Sequence, residues 1–480
     1  MNLFRRRTKI LATLGPATDD PKLLTEMVRA GVDVVRINFS HGSIEDHARR
    51  VGMIRESAAR AGSYVGILGD LQGPKIRIER FAGGKIMLAE GARFVLDASL
   101  AADAGTEQSV GITYKALPAD VQIDDVLLLN DGQISLQVAR VEGTRIYTVV
   151  LVGGELGNNK GINRQGGGLS AGALTDKDRA DIKAAAQLKV DYLAVSFARD
   201  AADMNEARAL LRKSGGHGLL VAKIERAEAI KNLAEVIGAS DAVMVARGDL
   251  GVEMGFAELA GLQKQIIQEA RHQYKVVITA TQMMESMIVN PIPTRAEVSD
   301  VANAVMDGSD AVMLSAETAS GKHPVKVVEA MSQVIVGAEK YQLSHSRSRQ
   351  RISGYFERSD EAIAAAVMYT ANHLHVKAIV ALTESGSTTL WMSRVRSDIP
   401  IYAFTRHEIT RCRVTLYRGV YPVAYDVTHQ DPEVLYYSVF HLLLELKLVE
   451  ENDLVILTKG ELSGVSGGTN SMQILRVTRN

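Results

Sequence analysis

Lys223 and Glu225 are two residues apart in Val221-Ala-Lys-Ile-Glu225, so on a strand their side chains share one face. Asp249 follows in Ala246-Arg-Gly-Asp249, a second carboxylate expected at a neighbouring strand end. Hard oxygen ligands with no histidine or cysteine beside them suit Mg2+ or Mn2+ rather than zinc. The same pair also reads as a plain structural ion pair. A lysine beside a divalent cation adds positive charge against a developing oxyanion or a transferring phosphoryl group. Its simpler reading is a lysine paired to Glu225. Arg36 has the fork geometry for phosphate or carboxylate. Gly248 permits close backbone approach, and its N–H can hold a carboxylate. Thr281 offers a hydroxyl that could position water or relay a proton, although threonines at such places are often structural.

Such groups need rigid elements. Eight short apolar runs rich in β-branched residues begin near Lys9, Val32, Tyr64, Tyr192, Leu219, Ala242, Val276 and Ala311, with helical patterns between them. Among those helices, one is expected over Ala227–Ile237. The alternation predicts an α/β fold, a (β/α)8 TIM barrel, whose reacting groups sit at the C-terminal strand ends. Six polar ends would then converge: Arg36-Ile-Asn38-Phe-Ser40-His41, Gly69-Asp70, Lys223-Ile-Glu225, Ala246-Arg-Gly-Asp249, Thr279-Ala-Thr281-Gln282 and Ser315-Ala-Glu317-Thr318.

Between the third and fourth runs, alternating segments and turns such as Gly83-Gly84 and Asp131-Gly132 predict an all-β insertion, a small β-barrel placed as a lid. From about Gln342 a basic stretch, His345 to Arg351, reads as a linker to a small α/β domain. The expected division is 1–70 and 170–342 for the barrel, 71–169 for the lid, and 343–480 for the C-terminal unit.

Composition narrows the class. The 480 residues carry 55 Lys+Arg against 56 Asp+Glu, a net charge of −1, which offers no global attraction to nucleic acid or membrane. The single cysteine, Cys412, excludes an internal disulfide and thiolate-clustered metal sites, and fits a reducing compartment. No signal peptide or bilayer-spanning stretch is recognisable, so a soluble cytoplasmic protein is expected. Gly321-Lys322 is followed by His323 and preceded by Ala316 where a P-loop needs glycine. The run Gly166-Gly167-Gly168-Leu-Ser-Ala171 reads as a hinge rather than a dinucleotide fingerprint.

Taken together, these blocks resemble pyruvate kinases. The resemblance is carried by Val35-Arg-Ile-Asn-Phe-Ser-His-Gly42, Val221-Ala-Lys-Ile-Glu225, Met244-Val-Ala-Arg-Gly-Asp-Leu-Gly251, Ala280-Thr-Gln-Met-Met-Glu-Ser-Met287 and Val312-Met-Leu-Ser-Ala-Glu-Thr318, in that family's order. It implies phosphoryl transfer from phosphoenolpyruvate to ADP, giving pyruvate and ATP. It implies that Glu225 and Asp249 hold Mg2+ or Mn2+, and that Lys223 stabilises the phosphoryl group and the enolate. Arg36 would contact the substrate phosphate, and Gly248, Asp249 and Thr281 the pyruvate moiety. Ser315 and Glu317 would belong to a proton-delivery network. Arg77, Lys160 and His41 would approach the nucleotide. A homotetramer is also implied.

One stretch departs from many members of the family. They read Asp-Thr-Lys-Gly-Pro-Glu after strand three and bind K+ through Asn, Ser, Asp and Thr, here Asn38, Ser40, Asp70 and Leu71. This chain has Asp70-Leu-Gln-Gly-Pro-Lys75, which resembles a bacterial subgroup. The Lys75 ammonium is expected to replace K+. In the C-terminal unit, Thr383, Ser385, Gly386, Ser387 and Thr388, with Gly467 and Thr469, form turns able to cradle a phosphate. The resemblance makes them an effector site for a sugar monophosphate or AMP; two ordinary turns are the alternative. A metal-dependent aldolase or lyase on the same barrel, and an inactive metabolite sensor, are the competing readings.

Overall fold

The computed structural model describes residues 5–345, 356–395, 397–426, 432–460 and 468–479. Eight parallel strands close into a barrel: Lys9–Thr13, Val34–Asn38, Gly66–Asp70, Tyr192–Val195, Leu219–Ile224, Ala242–Ala246, Val276–Ala280 and Ala311–Leu314. The first strand pairs with both the second and the eighth, so no edge remains. Alternation along each strand sends Ile10, Ala12, Val35 and Ile37 outward to the helices. It sends Leu11, Val34, Tyr192, Val221 and Met244 inward. The intervening helices are capped by their own sequence, as where Thr175 accepts from the backbone N–H of Asp178 while the Asp178 carboxylate accepts from that of Thr175.

Most strands stop short of the apolar runs at the functional end, while the second and third also start two residues late. Asp249 is not on a strand but in the first turn of the helix Arg247–Met254, which starts directly after Ala246. Ser315 precedes the short helix Ala316–Ala319, and Glu317 lies within it. The helix expected over Ala227–Ile237 is two, Ala227–Lys231 and Leu233–Gly238. They part at Asn232, whose side-chain amide donates to the Arg199 carbonyl.

The chain leaves the barrel after Asp70 and re-enters it by the helix Asp176–Gln187. The inserted strands form a six-stranded and a two-stranded sheet around Phe94, Leu96, Leu127, Leu136 and Ile146. The segment 76–79 bridges the two edges of the larger one, pairing Arg77 with Gly161 and Ile78 with Ile112, as a small β-barrel requires.

The C-terminal unit is a five-stranded sheet in the order 420–424, 401–405, 378–382, 454–460, 469–476, the last strand antiparallel. Its Val420–Ala424 strand escapes sequence reading because Pro422 breaks the pattern; at a sheet edge that proline is tolerated. Of the expected linker, His345 ends the helix Pro324–His345, and 346–351 lie outside the described residues.

The barrel interior and one face of this sheet form a continuous apolar cluster, running from Leu11 and Met244 to Val367 and Ile401. Polar ties cross the same boundary. Lys9 Nζ donates to the Val420 carbonyl at 2.7 Å, and Tyr192 Oη to that of Arg413 at 2.6 Å. Among the described residues no helix is long and apolar enough to cross a membrane.

Candidate active site

At the C-terminal end of the barrel, Lys223 Nζ lies 2.8 Å from Glu225 Oε1 and 3.4 Å from Asp70 Oδ1, and donates to Ser196 Oγ at 2.7 Å. Arg36 Nε reaches Asp70 Oδ2 at 2.5 Å, and its Nη1 donates to Thr13 Oγ1 at 3.3 Å. The shared strand face expected of Lys223 and Glu225 thus puts the two side chains in contact. Glu225 also accepts the backbone N–H of Phe197 at 2.9 Å, made possible by a left-handed φ of 57° at Phe197.

Burial and charge set the ionisation. Burial works against the Lys223 ammonium, but the carboxylates of Asp70 and Glu225 outweigh it and raise its pKa above that of a free lysine. Burial alone would raise Asp70; Lys223 and Arg36 overcome it and hold Asp70 below the usual carboxylate range. Burial raises Glu225, Lys223 opposes that, and the like charge of Asp249 adds to it.

That mutual repulsion between Glu225 and Asp249 is what a divalent cation relieves, and Lys75 Nζ already stands 3.6 Å from Asp249 Oδ1. Among the described residues no three His, Cys, Asp or Glu side chains gather around one ion site. As two hard oxygen donors, the Glu225 and Asp249 carboxylates have the chemistry that suits Mg2+ or Mn2+.

Thr281 and Gln282 both have left-handed backbones, φ 67° and 54°, a costly pair for non-glycine residues. Buried Arg247 holds the turn. Its Nε donates to the Ala280 carbonyl at 3.1 Å, Nη2 to that of Thr281 at 2.6 Å, and Nη1 pairs with Asp300 at 2.7 Å. The turn aims Thr281 Oγ1 at the backbone N–H of Gly248, 3.0 Å away. That N–H is therefore not open to a carboxylate until the threonine yields it. Glu317 is buried and accepts the backbone N–H groups of Ser315 at 2.6 Å and Met284 at 3.2 Å, so it braces this rim.

Among the expected monovalent-cation residues, Asp70 Oδ1 makes no hydrogen bond and faces the Lys223 ammonium at 3.4 Å. Asn38 Oδ1 accepts the Ser40 N–H, and the Leu71 carbonyl accepts Ser196 Oγ. His41 is exposed on the following turn. Arg77 and Lys160 lie in the insertion, where Arg77 Nη1 donates to the Asn159 carbonyl. Sequence reading overlooked Ser196, Thr13, Arg226 and the bracing role of Arg247. Ser196 was within reach, since it directly follows strand four, but a single serine in an apolar run gives little signal.

In the C-terminal unit, Gly386 adopts φ 84° before the helix Ser387–Arg394, and its N–H donates to Thr383 Oγ1. Thr388 Oγ1 meets Thr469 Oγ1 at 2.7 Å, bringing two of the predicted loops together, and Ser387 Oγ donates to Asp360. Ser385 lies within the first loop; Gly467 lies outside the described residues. A separate cleft of about 230 Å3 between barrel and C-terminal unit carries several arginines, but Arg394 is spent on Asp310 and Arg7 donates to the Ser397 carbonyl.

Comparison with known proteins gives two family matches: pyruvate kinase, barrel domain, over residues 5–328, and pyruvate kinase, alpha/beta domain, over residues 361–475. The chain is 54% identical over 476 residues to "Pyruvate kinase II" of Salmonella typhimurium, covering 98% of this chain and 99% of that protein. It is 51% identical to a pyruvate kinase of Haemophilus influenzae, over 95% of this chain and 96% of the other. A pyruvate kinase of Geobacillus stearothermophilus is 41% identical over 98% of this chain and 80% of its own length.

Proposed function

The chain belongs to the pyruvate kinase family, and from that premise we propose that it transfers the phosphoryl group of phosphoenolpyruvate to ADP, yielding pyruvate and ATP. The observation that supports this most is the buried Lys223 ammonium, held between Glu225 and Asp70 beside the Arg36 guanidinium. A largely dissociative phosphoryl transfer needs positioning and positive charge rather than a protein nucleophile. Lys223 stays protonated in this setting and faces the charge that moves from the bridging oxygen onto the enolate. Arg36 anchors the substrate phosphate. Glu225 and Asp249 are the residues that would hold Mg2+ or Mn2+, which supplies Lewis-acid charge to the phosphoryl and carboxylate oxygens. The Gly248 N–H, released by Thr281, orients the substrate carboxylate. Thr281 and Ser315 hydroxyls then lie on the rim from which the enolate carbon takes its proton, with Glu317 holding Ser315 in place. Residues 71–169 act as the lid, bringing Arg77 and Lys160, with His41 below them, to the nucleotide phosphates.

The direct test is ADP-dependent pyruvate formation, which chelation of divalent metal should abolish and added Mg2+ restore. Turnover that survives full chelation would remove the metal site from this reading.

The reaction is expected to run without K+. Asp70 is already flanked by two cations, and Lys75 places a third charge at the Asp249 side of the cleft. In buffer free of K+ and Na+, turnover should match that with excess KCl. A many-fold rise on adding KCl would show that the monovalent site of Asn38, Ser40, Asp70 and Leu71 is used after all.

Regulation belongs to the same proposal. The paired hydroxyls of Thr388 and Thr469, with Ser387 at a helix start, suit the phosphate of a sugar monophosphate or AMP. Either compound should lower the half-saturating phosphoenolpyruvate concentration in the wild type but not in Ser387→Glu. Equal shifts in both proteins would move the effector elsewhere. A cytoplasmic homotetramer completes the proposal, checked by the mass of the species in solution.

A further inference from the structure

The insertion meets the barrel at two crossings, and both are wired to the strand that carries Lys223 and Glu225. At the outgoing crossing, Ser196 links Lys223 to the Leu71 carbonyl. The return crossing is gripped by Arg226, the residue directly after Glu225. Its Nη2 donates to the Leu169 carbonyl at 2.6 Å and its Nη1 to that of Ala171 at 3.2 Å. Its Nε donates at 3.1 Å to Glu228, whose other oxygen accepts the Gly168 N–H at 2.5 Å. A fork with two carbonyls on one side and a carboxylate on the other is a geometry that lysine cannot reproduce.

Three glycines lead into the gripped segment. Gly166, Gly167 and Gly168 all have left-handed backbones, φ 81°, 78° and 93°. A Cβ on Gly167 would come within 2.8 Å of Ala227, and one on Gly168 within 2.1 Å of Arg164. Immediately before it, Arg164 is tied into the insertion by both oxygens of Asp125. The glycines thus carry the chain from a stretch tied to the insertion to one tied to the barrel, with the Gly166 N–H on the Glu253 carbonyl and the Gly167 carbonyl accepting from Arg164 Nη1. A swing of the insertion at this point would widen the space beneath it. The space between insertion and barrel lined by Lys75, Phe197, Arg226 and Asp249 is about 30 Å3, far below the several hundred Å3 of a typical small-molecule site.

We propose that Arg226, supported by Glu228, is a positioning residue that sets the angle of the insertion on the barrel and so the affinity for the nucleoside diphosphate. This rests on the phosphoryl-transfer reading above. The clasp ties the return crossing to the same strand end that bears the metal carboxylate Glu225. Loosening it lets the insertion sample orientations in which its cationic residues miss the nucleotide. The apparent dissociation constant then rises by the inverse of the competent fraction.

The test uses full-length Arg226→Lys and Glu228→Gln, with two readouts. Amide hydrogen exchange of residues 166–171, in protein without substrate or metal, should accelerate in both variants. The KM for ADP should rise about tenfold in Arg226→Lys, as for a tenfold smaller competent fraction, while the KM for phosphoenolpyruvate and kcat hold near wild type. A smaller rise is expected in Glu228→Gln. Unchanged exchange would overturn the proposal, as would faster exchange with an unaltered KM for ADP. A uniform loss of kcat and both affinities together with a lower Tm would reduce Arg226 to a structural residue and overturn it too. A wild type that forms no pyruvate would defeat the function reading alone, because the exchange experiment still decides whether the clasp exists.

Discussion

Lys223→Met is expected to lower turnover about a thousandfold or more, the loss typical of removing a preorganised charge from a transition state. Methionine keeps the length and most of the volume of the side chain, so the barrel interior stays filled. What disappears is a positive charge facing the oxygen on which negative charge develops. The side chain is 13% exposed and its ammonium touches Glu225, Asp70 and Ser196. Water cannot replace it without disrupting that arrangement. The substitution also leaves two nearly fully buried carboxylates without their shared cation, since Glu225 and Asp70 are each about 1% exposed. Folding must therefore be measured alongside turnover. Binding of phosphoenolpyruvate in the presence of Mg2+ should persist, because Arg36, Glu225 and Asp249 remain. Equal turnover in variant and wild type would remove the mechanism proposed here. A loss confined to the KM for phosphoenolpyruvate would recast Lys223 as a ground-state binding residue.

A second large effect lies far from the chemistry. Arg394→Met should destabilise the protein by about 3–5 kcal/mol, the usual consequence of leaving one member of a buried ion pair behind. Arg394 and Asp310 are 4% and 3% exposed, and the guanidinium meets both carboxylate oxygens. It also donates to the Lys275 carbonyl, joining the C-terminal unit to the loop ahead of strand seven. Asp310 accepts the Val277 N–H as well, so it is held in place whether or not Arg394 is present. The double variant Arg394→Met with Asp310→Asn removes the stranded charge and should recover part of the loss. Denaturant unfolding of the wild type and the two variants measures it, with the first transition used if the domains unfold separately. A change below about 1 kcal/mol in the single variant, the range of a surface pair, would show that water reaches Asp310.

The juxtaposition of the residues proposed to do chemistry was largely legible because a barrel sends its strand ends to one place. Lys223, Glu225, Asp70 and Arg36 are joined by hydrogen-bond and ion-pair distances, as spacing on a strand and the barrel rule together imply. Residues beyond the last strand position were less accessible. Asp249 proved to be in a helix, and Gly248 and Thr281 proved to be bonded to each other, because a left-handed turn braced by Arg247 redirects both. Nothing in the local pattern signals that turn. Arg226 was invisible for a related reason: besides Glu228, its partners are backbone carbonyls 55 and 57 residues away, which carry no side-chain signature.

By itself the sequence determined the eight-stranded barrel, the inserted and appended units, and the family. These follow from hydrophobic period and from ordered blocks, both of which are local or additive along the chain. The tertiary structure alone decided which polar groups are free and which are already bonded. It showed that Glu317 braces a backbone turn, that Asp70 bonds Arg36 through one oxygen and faces Lys223 with the other, and that the insertion is clasped at Arg226. The reason is physical. Hydrogen-bond satisfaction and charge compensation depend on distances between segments far apart in the chain, and a residue's type states only what it can donate or accept.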